Sequence, residues 1–196
     1  SDTTRISANL AQASPRSAFL NGADLSEANL ESADLTGADL TDAILRNTKL
    51  EKVALTGAKL NGSDLTGANL KDANLTDATL SGANLTKTEL EGVNLTKANL
   101  SDAILQDANL SRAILREANL SRVNLSGADL SGAVLRKANL TGADLTNTRL
   151  VGVDWRGANL TDVDLSTSRL TQSEVADAIL CGTRMPWGEQ NGGCEE

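Results

Sequence analysis

Cysteine, serine and the acidic side chains are the residues of this sequence with the potential for chemistry. The chain of 196 residues has two cysteines, Cys181 and Cys194, and no histidine. A Ser or Cys nucleophile usually gives its proton to a neighbouring imidazole, and that base is missing here. Two cysteines without histidine are also too few for a zinc site. We therefore expect no enzyme, no catalytic residue, no metal site and no bound cofactor.

The charged residues point to a protein partner. Asp and Glu number 26 against 18 Lys and Arg, which gives a formal net charge of −8 at pH 7. The negative charge disfavours direct binding of nucleic acid, and no apolar run is long enough to span a membrane. Acid–base catalysis needs a pocket that shifts a carboxyl pKa, whereas the repeat described next leaves the carboxylates on convex, solvated faces. We expect a protein partner of unknown identity.

The sequence is organised by a strict five-residue period. Every fifth residue from Leu20 to Leu170 is leucine except Trp155, and the residue two positions earlier is small, mostly alanine. The unit reads Ala-(Asp or Asn)-Leu-(Ser or Thr)-x, as in residues 23–27. On an α-helix a five-residue step scatters the leucines around the axis, and on a flat strand it sends successive leucines to opposite faces. A chain that turns a corner every five residues keeps every leucine inside.

Residues 20 positions apart indicate that each coil has four sides. One column of small positions contains only alanine, whereas the column of Ala33 includes three valines. The alanines of the first column are Ala18, Ala38, Ala58, Ala78, Ala98, Ala118, Ala138 and Ala158. The valines of the second are Val53, Val93 and Val153. The side chains of different columns are expected to differ in volume when each column lines a different face of the coil.

This pattern resembles the pentapeptide-repeat family, and the resemblance covers residues 18–172 without an insertion. It implies an all-β fold, a right-handed quadrilateral parallel β-helix with the leucine and the preceding small residue inside. The 31 repeats predict about eight four-sided coils. The resemblance also indicates a cyanobacterial source and a protein without known catalytic activity.

The N-terminal segment, residues 1–17, leaves the start of the first coil open. Residues 8–10 have the repeat sequence Ala-Asn-Leu and keep the register. Pro15 then stands at an inward position, which weakens the match. The coils begin either near residue 8 or at residue 18.

The C-terminal segment, residues 173–196, is predicted to cap the last coil. Thr171 and Glu174 form a capping-box pattern, and apolar residues at helical spacing follow. This predicts a short helix over 172–181. The alternative continues the repeat through Val175 and Leu180. A cap is expected because an open solenoid end exposes leucine and unpaired strand edges.

Cys181 and Cys194 both lie in this C-terminal region, with glycines and a proline between them that allow the chain to close a loop. We predict a disulfide that braces the cap, and two free thiols are the alternative. A disulfide predicts a periplasmic or lumenal location, and free thiols predict a cytoplasmic one.

One group of outward residues is a candidate interaction face. In a four-sided register Arg116, Arg136 and Arg156 stack beside the outward-facing Ile114 and Val134. Such a column would suit an acidic partner. The alternative is an ordinary solvated surface.

Two functions follow from the resemblance. The first is a monomeric, non-catalytic interaction or structural module. The alternative is a DNA mimic that binds a type II topoisomerase, because some quinolone-resistance members of the family are acidic rods that occupy the DNA site of gyrase. Those members resemble dimers with many central phenylalanines, whereas this chain has leucine centres and one phenylalanine.

Overall fold

A computed structural model describes residues 9–194 of the chain. Each five-residue side has two turn residues and three extended residues, and the middle extended residue forms a parallel β-bridge. Every bridge joins residues 20 positions apart, from Asn9–Asn29 to Asp164–Arg184. Four sides therefore make one coil, as the column analysis predicts.

The first rung at Asn9 places the start of the ladder nearer residue 8 than residue 18. Residues 1–8 of the predicted N-terminal segment lie outside the described residues. Between residues 9 and 194, no helix is both long and apolar enough to cross a membrane.

The corner of each side is a four-residue turn closed by a hydrogen bond. The N–H of Ala23 donates to the carbonyl of Leu20 at 3.0 Å, and the third turn residue, Gly22, has a φ of +67°. This combination is typical of a type II turn. The same third position has a positive φ at every corner from residue 12 to residue 162. Glycine and polar residues fill it, because apolar β-branched residues are strained there.

The Asp or Asn of the repeat has a structural task. The Oδ1 of Asn74 accepts the backbone N–H of Thr76 at 3.1 Å and its hydroxyl at 2.7 Å. This local bond pairs an N–H of the turn that makes no bond to another coil. The contact explains why Asp or Asn precedes most of the leucines and why Ser or Thr follows most of them.

Leucine and alanine fill the interior of the stack. The central leucines from Leu30 to Leu140 are at most 1% exposed. The buried hydroxyls of Thr48, Ser63 and Thr88 at inward positions each donate to a leucine carbonyl, as Thr88 does to that of Leu65 at 3.0 Å. The leucines are less buried at the N-terminal end, where Leu10 is 40% exposed. Burial of the leucines, at about 1.5–3 kcal/mol each, is the main favourable term for this fold.

The helix predicted over 172–181 is wrong. The chain forms only a 3₁₀ helix, Gln172–Val175, although the capping box is present and Glu174 accepts the N–H of Thr171 at 2.7 Å. Beyond it, Ile179 resumes the ladder and donates its N–H to the carbonyl of Ala158 at 2.8 Å. The preceding coil offers backbone hydrogen-bond partners to this segment, and a helix over the same residues would leave those partners unpaired.

The chain ends in an antiparallel hairpin of β1, Leu180–Met185, and β2, Gly188–Gly192. Arg184 of β1 also forms the last rung of the ladder, with Asp164. Cys181 and Cys194 form a disulfide across the hairpin, with their Cα atoms 5.0 Å apart. The bridge therefore ties the end of the chain to the last coil.

Candidate interaction surface

The structure brings the residues of the predicted interaction face together. Ile114 bridges Val134, and Val134 bridges Asp154 in the next coil. Arg116, Arg136 and Arg156 follow two residues after each of these three, at the first corner position of successive coils. Neighbouring coils are spaced by about 4.8 Å, so the three arginines form one column. We call these three arginines, with Ile114 and Val134, the arginine column.

Asp154 is part of this surface, and the sequence analysis did not include it. It accepts the Nε of Arg136 at 2.5 Å and the Nη2 of Arg156 at 2.7 Å. Arg116 makes no ion pair within the described residues. The signal was available in the sequence, because Asp154 lies 20 residues after Val134 and two before Arg156. With Asp154 counted, the surface has a formal charge of +2.

The arginine column presents both charge and apolar area. Ile114 and Val134 are half-buried, and the Arg116 side chain is exposed. The ion pairs of Asp154 are solvated, and such pairs contribute at most about 1 kcal/mol to stability. They hold the guanidinium groups of Arg136 and Arg156 beside Asp154 more than they stabilise the fold.

Elsewhere, opposite charges 20 residues apart pair between coils. Lys71 lies 2.6 Å from Glu91, which also pairs with Arg112, and Arg122 lies 2.7 Å from Asp102. The pKa of Glu91 is lowered from its ordinary value by the hydrogen bonds from Lys71 and Arg112. These contacts keep the carboxylates ionised and join neighbouring coils.

Within residues 9–194, no group of three or more His, Cys, Asp or Glu residues is placed to hold a metal ion. The two sulfur atoms are joined in the disulfide. What the arginine column offers is positive charge beside aliphatic side chains on a regular frame.

The repeat, the four-sided coil and the buried leucines together define the class of this protein. The family model for pentapeptide repeats matches eight copies, in overlapping segments that run from residue 6 to residue 185. The chain therefore belongs to the pentapeptide-repeat family, whose known fold is the right-handed quadrilateral β-helix. The resemblance stated from the sequence is confirmed.

Several solved structures are similar to this chain. HetL, a pentapeptide repeat protein involved in heterocyst differentiation regulation from the cyanobacterium Nostoc sp. strain PCC 7120, is 34% identical, with 93% of this chain and 91% of HetL covered and a TM-score of 0.38. Rfr23 from the cyanobacterium Cyanothece 51142 is 44% identical, with 43% and 58% covered and a TM-score of 0.43.

Full-length QnrB1, a plasmid-mediated fluoroquinolone resistance protein, is 19% identical, with 91% of this chain and 92% of QnrB1 covered and a TM-score of 0.44. A comparison with the curated proteins finds no match.

Proposed function

We propose that this protein is a non-catalytic interaction module that presents the arginine column to an acidic surface of a partner protein. The observation that supports this most is the direct pairing of Ile114 with Val134 beside three stacked arginines. The surface is positive in a chain whose formal net charge is −8. A local charge opposite to the net charge favours one orientation of an acidic partner.

A charge-reversal experiment tests this proposal. The variant Arg116→Glu/Arg136→Glu/Arg156→Glu changes the column and leaves every inward leucine in place. A matched control makes the same charge change at exposed lysines of other corners. The control substitutions are Lys52→Glu, Lys87→Glu and Lys97→Glu.

The readout is quantitative mass spectrometry of proteins captured from an extract of the source organism. A partner held by the wild type and the control, but lost by the column variant, supports the proposal. If all three proteins capture the same partners in equal amounts, the arginine column is not the interaction surface.

The alternative function is DNA mimicry toward gyrase, and the net charge is the observation that favours it. Residues 21–45 contain six carboxylates and no Lys or Arg, but the four-sided register places Asp24 and Asp34 on opposite faces. Asp34 is also paired with Arg16 at 2.5 Å. The carboxylates therefore wrap around the rod rather than forming one stripe, which ranks this function second.

A gyrase supercoiling assay, with and without a fluoroquinolone, separates the two functions. Inhibition or drug protection at low micromolar protein would put DNA mimicry first, with the unfolded protein as control. No effect would leave the interaction module. We also propose a monomer, which gel filtration tests, and a periplasmic or lumenal location, which the disulfide supports.

A further inference from the structure

The ladder between coils opens at one place. From Phe19 onwards each bridging residue pairs with the residue 20 positions later, as Asn139 does with Asn159. Within the described chain, three successive rungs are missing from this series. They are the rungs that would join Asp144 to Asp164, Arg149 to Arg169 and Asp154 to Glu174. The fourth face stays closed because Asn159 pairs with Ile179. We call this opening the seam.

Backbone groups on both sides of the seam lack partners. In the coils before it, each central leucine donates its N–H to the carbonyl 19 residues later, as Leu130 does to Arg149 at 2.8 Å. The N–H groups of Leu145 and Leu150 make no such bond within the described chain. On the opposite side, the N–H of Arg169 lacks the bond to the carbonyl 21 residues earlier that Arg149 makes with Ala128. Unpaired strand edges of this kind are templates for pairing with another extended chain.

The seam has room for a ligand. Where Arg149 and Arg169 face each other, the seam forms an open cleft with a volume of about 330 Å³, within the usual range of ligand sites, about 300–1,000 Å³. Residues from both coils line it. They are Asn147, Thr148, Arg149, Leu150, Val151, Thr167, Ser168 and Arg169.

The lining residues combine positive charge with apolar area. Arg149 and Arg169 are both exposed, and neither makes an ion pair within residues 9–194. No lining residue is acidic. Val151 is 64% exposed and stands beside the buried Leu150. An occupant of this seam would meet two unpaired cations, a valine and free backbone donors.

The inner position that holds tryptophan instead of leucine lies in the same coil as the missing rungs. Trp155 replaces leucine at an inner position and is 2% exposed, so its larger side chain lies inside the stack next to the seam. Its indole N–H has no hydrogen-bond partner in the described structure. A bulkier residue in a close-packed interior pushes neighbouring backbone apart. The opening therefore coincides with a specific feature of the sequence.

We propose that the seam binds an extended, acidic peptide segment of a partner protein, which adds as a strand to the open edge. A carbonyl group of the peptide accepts the N–H of Leu150, and its carboxylates meet Arg149 and Arg169. Apolar side chains of the peptide contact Val151. The cleft at Arg149 and Arg169 lies on the side that precedes Asp154, and none of its lining residues belongs to the arginine column, so the proposal stands independently of the function proposed above.

The test uses the full chain and a fluorescein-labelled hexapeptide, Val-Glu-Val-Glu-Val-Glu, followed by fluorescence anisotropy. We expect saturable binding that Arg149→Gln/Arg169→Gln weakens by about tenfold or more, since two charged contacts are lost. Lys52→Gln/Lys87→Gln, which removes two exposed lysines of distant coils, leaves the affinity unchanged. The same peptide with N-methylated backbone amides binds at least about tenfold more weakly, because it cannot pair with the carbonyls of the opposite edge.

Failure of the hexapeptide to bind at millimolar concentration overturns the proposal, and so does equal binding of the N-methylated peptide. Hydrogen exchange supplies a second readout. In the free protein the amides of Leu145 and Leu150 exchange faster than that of Leu95, which is paired at 2.7 Å. Saturating hexapeptide slows the amide of Leu150 and leaves that of Leu95 unchanged; a Leu150 amide that stays fast in the complex rules out strand addition.

Discussion

Replacement of a central leucine by alanine in the middle of the stack should destabilise the protein far more than the same change at its end. Leu95 is fully buried, and Leu95→Ala removes three carbon groups at about 0.8 kcal/mol each, or about 2.4 kcal/mol. The coils above and below limit collapse around the cavity, which raises the expected loss to about 3–5 kcal/mol. Leu10 has the same place in the repeat but is 40% exposed, so Leu10→Ala should cost at most about 1.5 kcal/mol.

Urea unfolding followed by far-ultraviolet circular dichroism measures both variants, and fluorescence of Trp155 in a Trp187→Phe background gives a second probe. Coincident transitions justify a two-state free energy. Transitions that separate in Leu95→Ala would show the stack dividing at the cavity, as expected when each coil contacts only its neighbours. Equal losses in the two variants, or a loss below about 1 kcal/mol in Leu95→Ala, would refute the reasoning that inward leucines hold the stack.

Three further predictions concern charge, the disulfide and the corners. Because the folded pKa of Glu91 lies below its ordinary value of 4.5, its stabilising effect is present above that value and is lost as the pH falls through the folded pKa. The urea midpoint should therefore drop between about pH 6 and pH 3, and less steeply in Glu91→Gln. Cys194→Ser should lower stability by about 3 kcal/mol or less, seen as faster proteolysis of the hairpin than of the coils; an unchanged cleavage rate contradicts a bracing disulfide. Gly127→Ala should destabilise more than Gly82→Ala, although both have a positive φ, because only the added Cβ at Gly127 would collide with Asp107 Oδ1. Equal urea midpoints for the two glycine variants would show that Asp107 moves aside freely.

The repeating part of the fold was predictable because every coil satisfies the same local requirements. The period placed the leucines inside, and the columns of Ala33 and Ala38 distinguished faces that the β-bridges then confirmed at 20-residue spacing. Asn and Asp are residue types that bond their own backbone in turns, but the particular bond of Asn74 to the N–H two residues later depends on the corner geometry.

The C-terminal region was predicted less well because two patterns overlap there. Val175 and Ala178 fit both helical spacing and the inner positions of the repeat, and backbone pairing with the preceding coil decided between them. No sequence motif predicts the seam. It depends on how the coil that contains Trp155 meets the next one, which is a property of packing.

The twenty-residue coil is the central claim, and cysteine cross-linking tests it most directly. Asn74 bridges Asn94 in the structure, and facing residues of neighbouring coils lie about 4.8 Å apart. The variant Asn74→Cys/Asn94→Cys should therefore react rapidly with the short bis-thiol reagent dibromobimane. Asn74→Cys/Glu89→Cys and Asn74→Cys/Asn99→Cys, which would face each other in three-sided and five-sided coils, should not. Cross-linking of either of these pairs in preference to the first would contradict the four-sided stack.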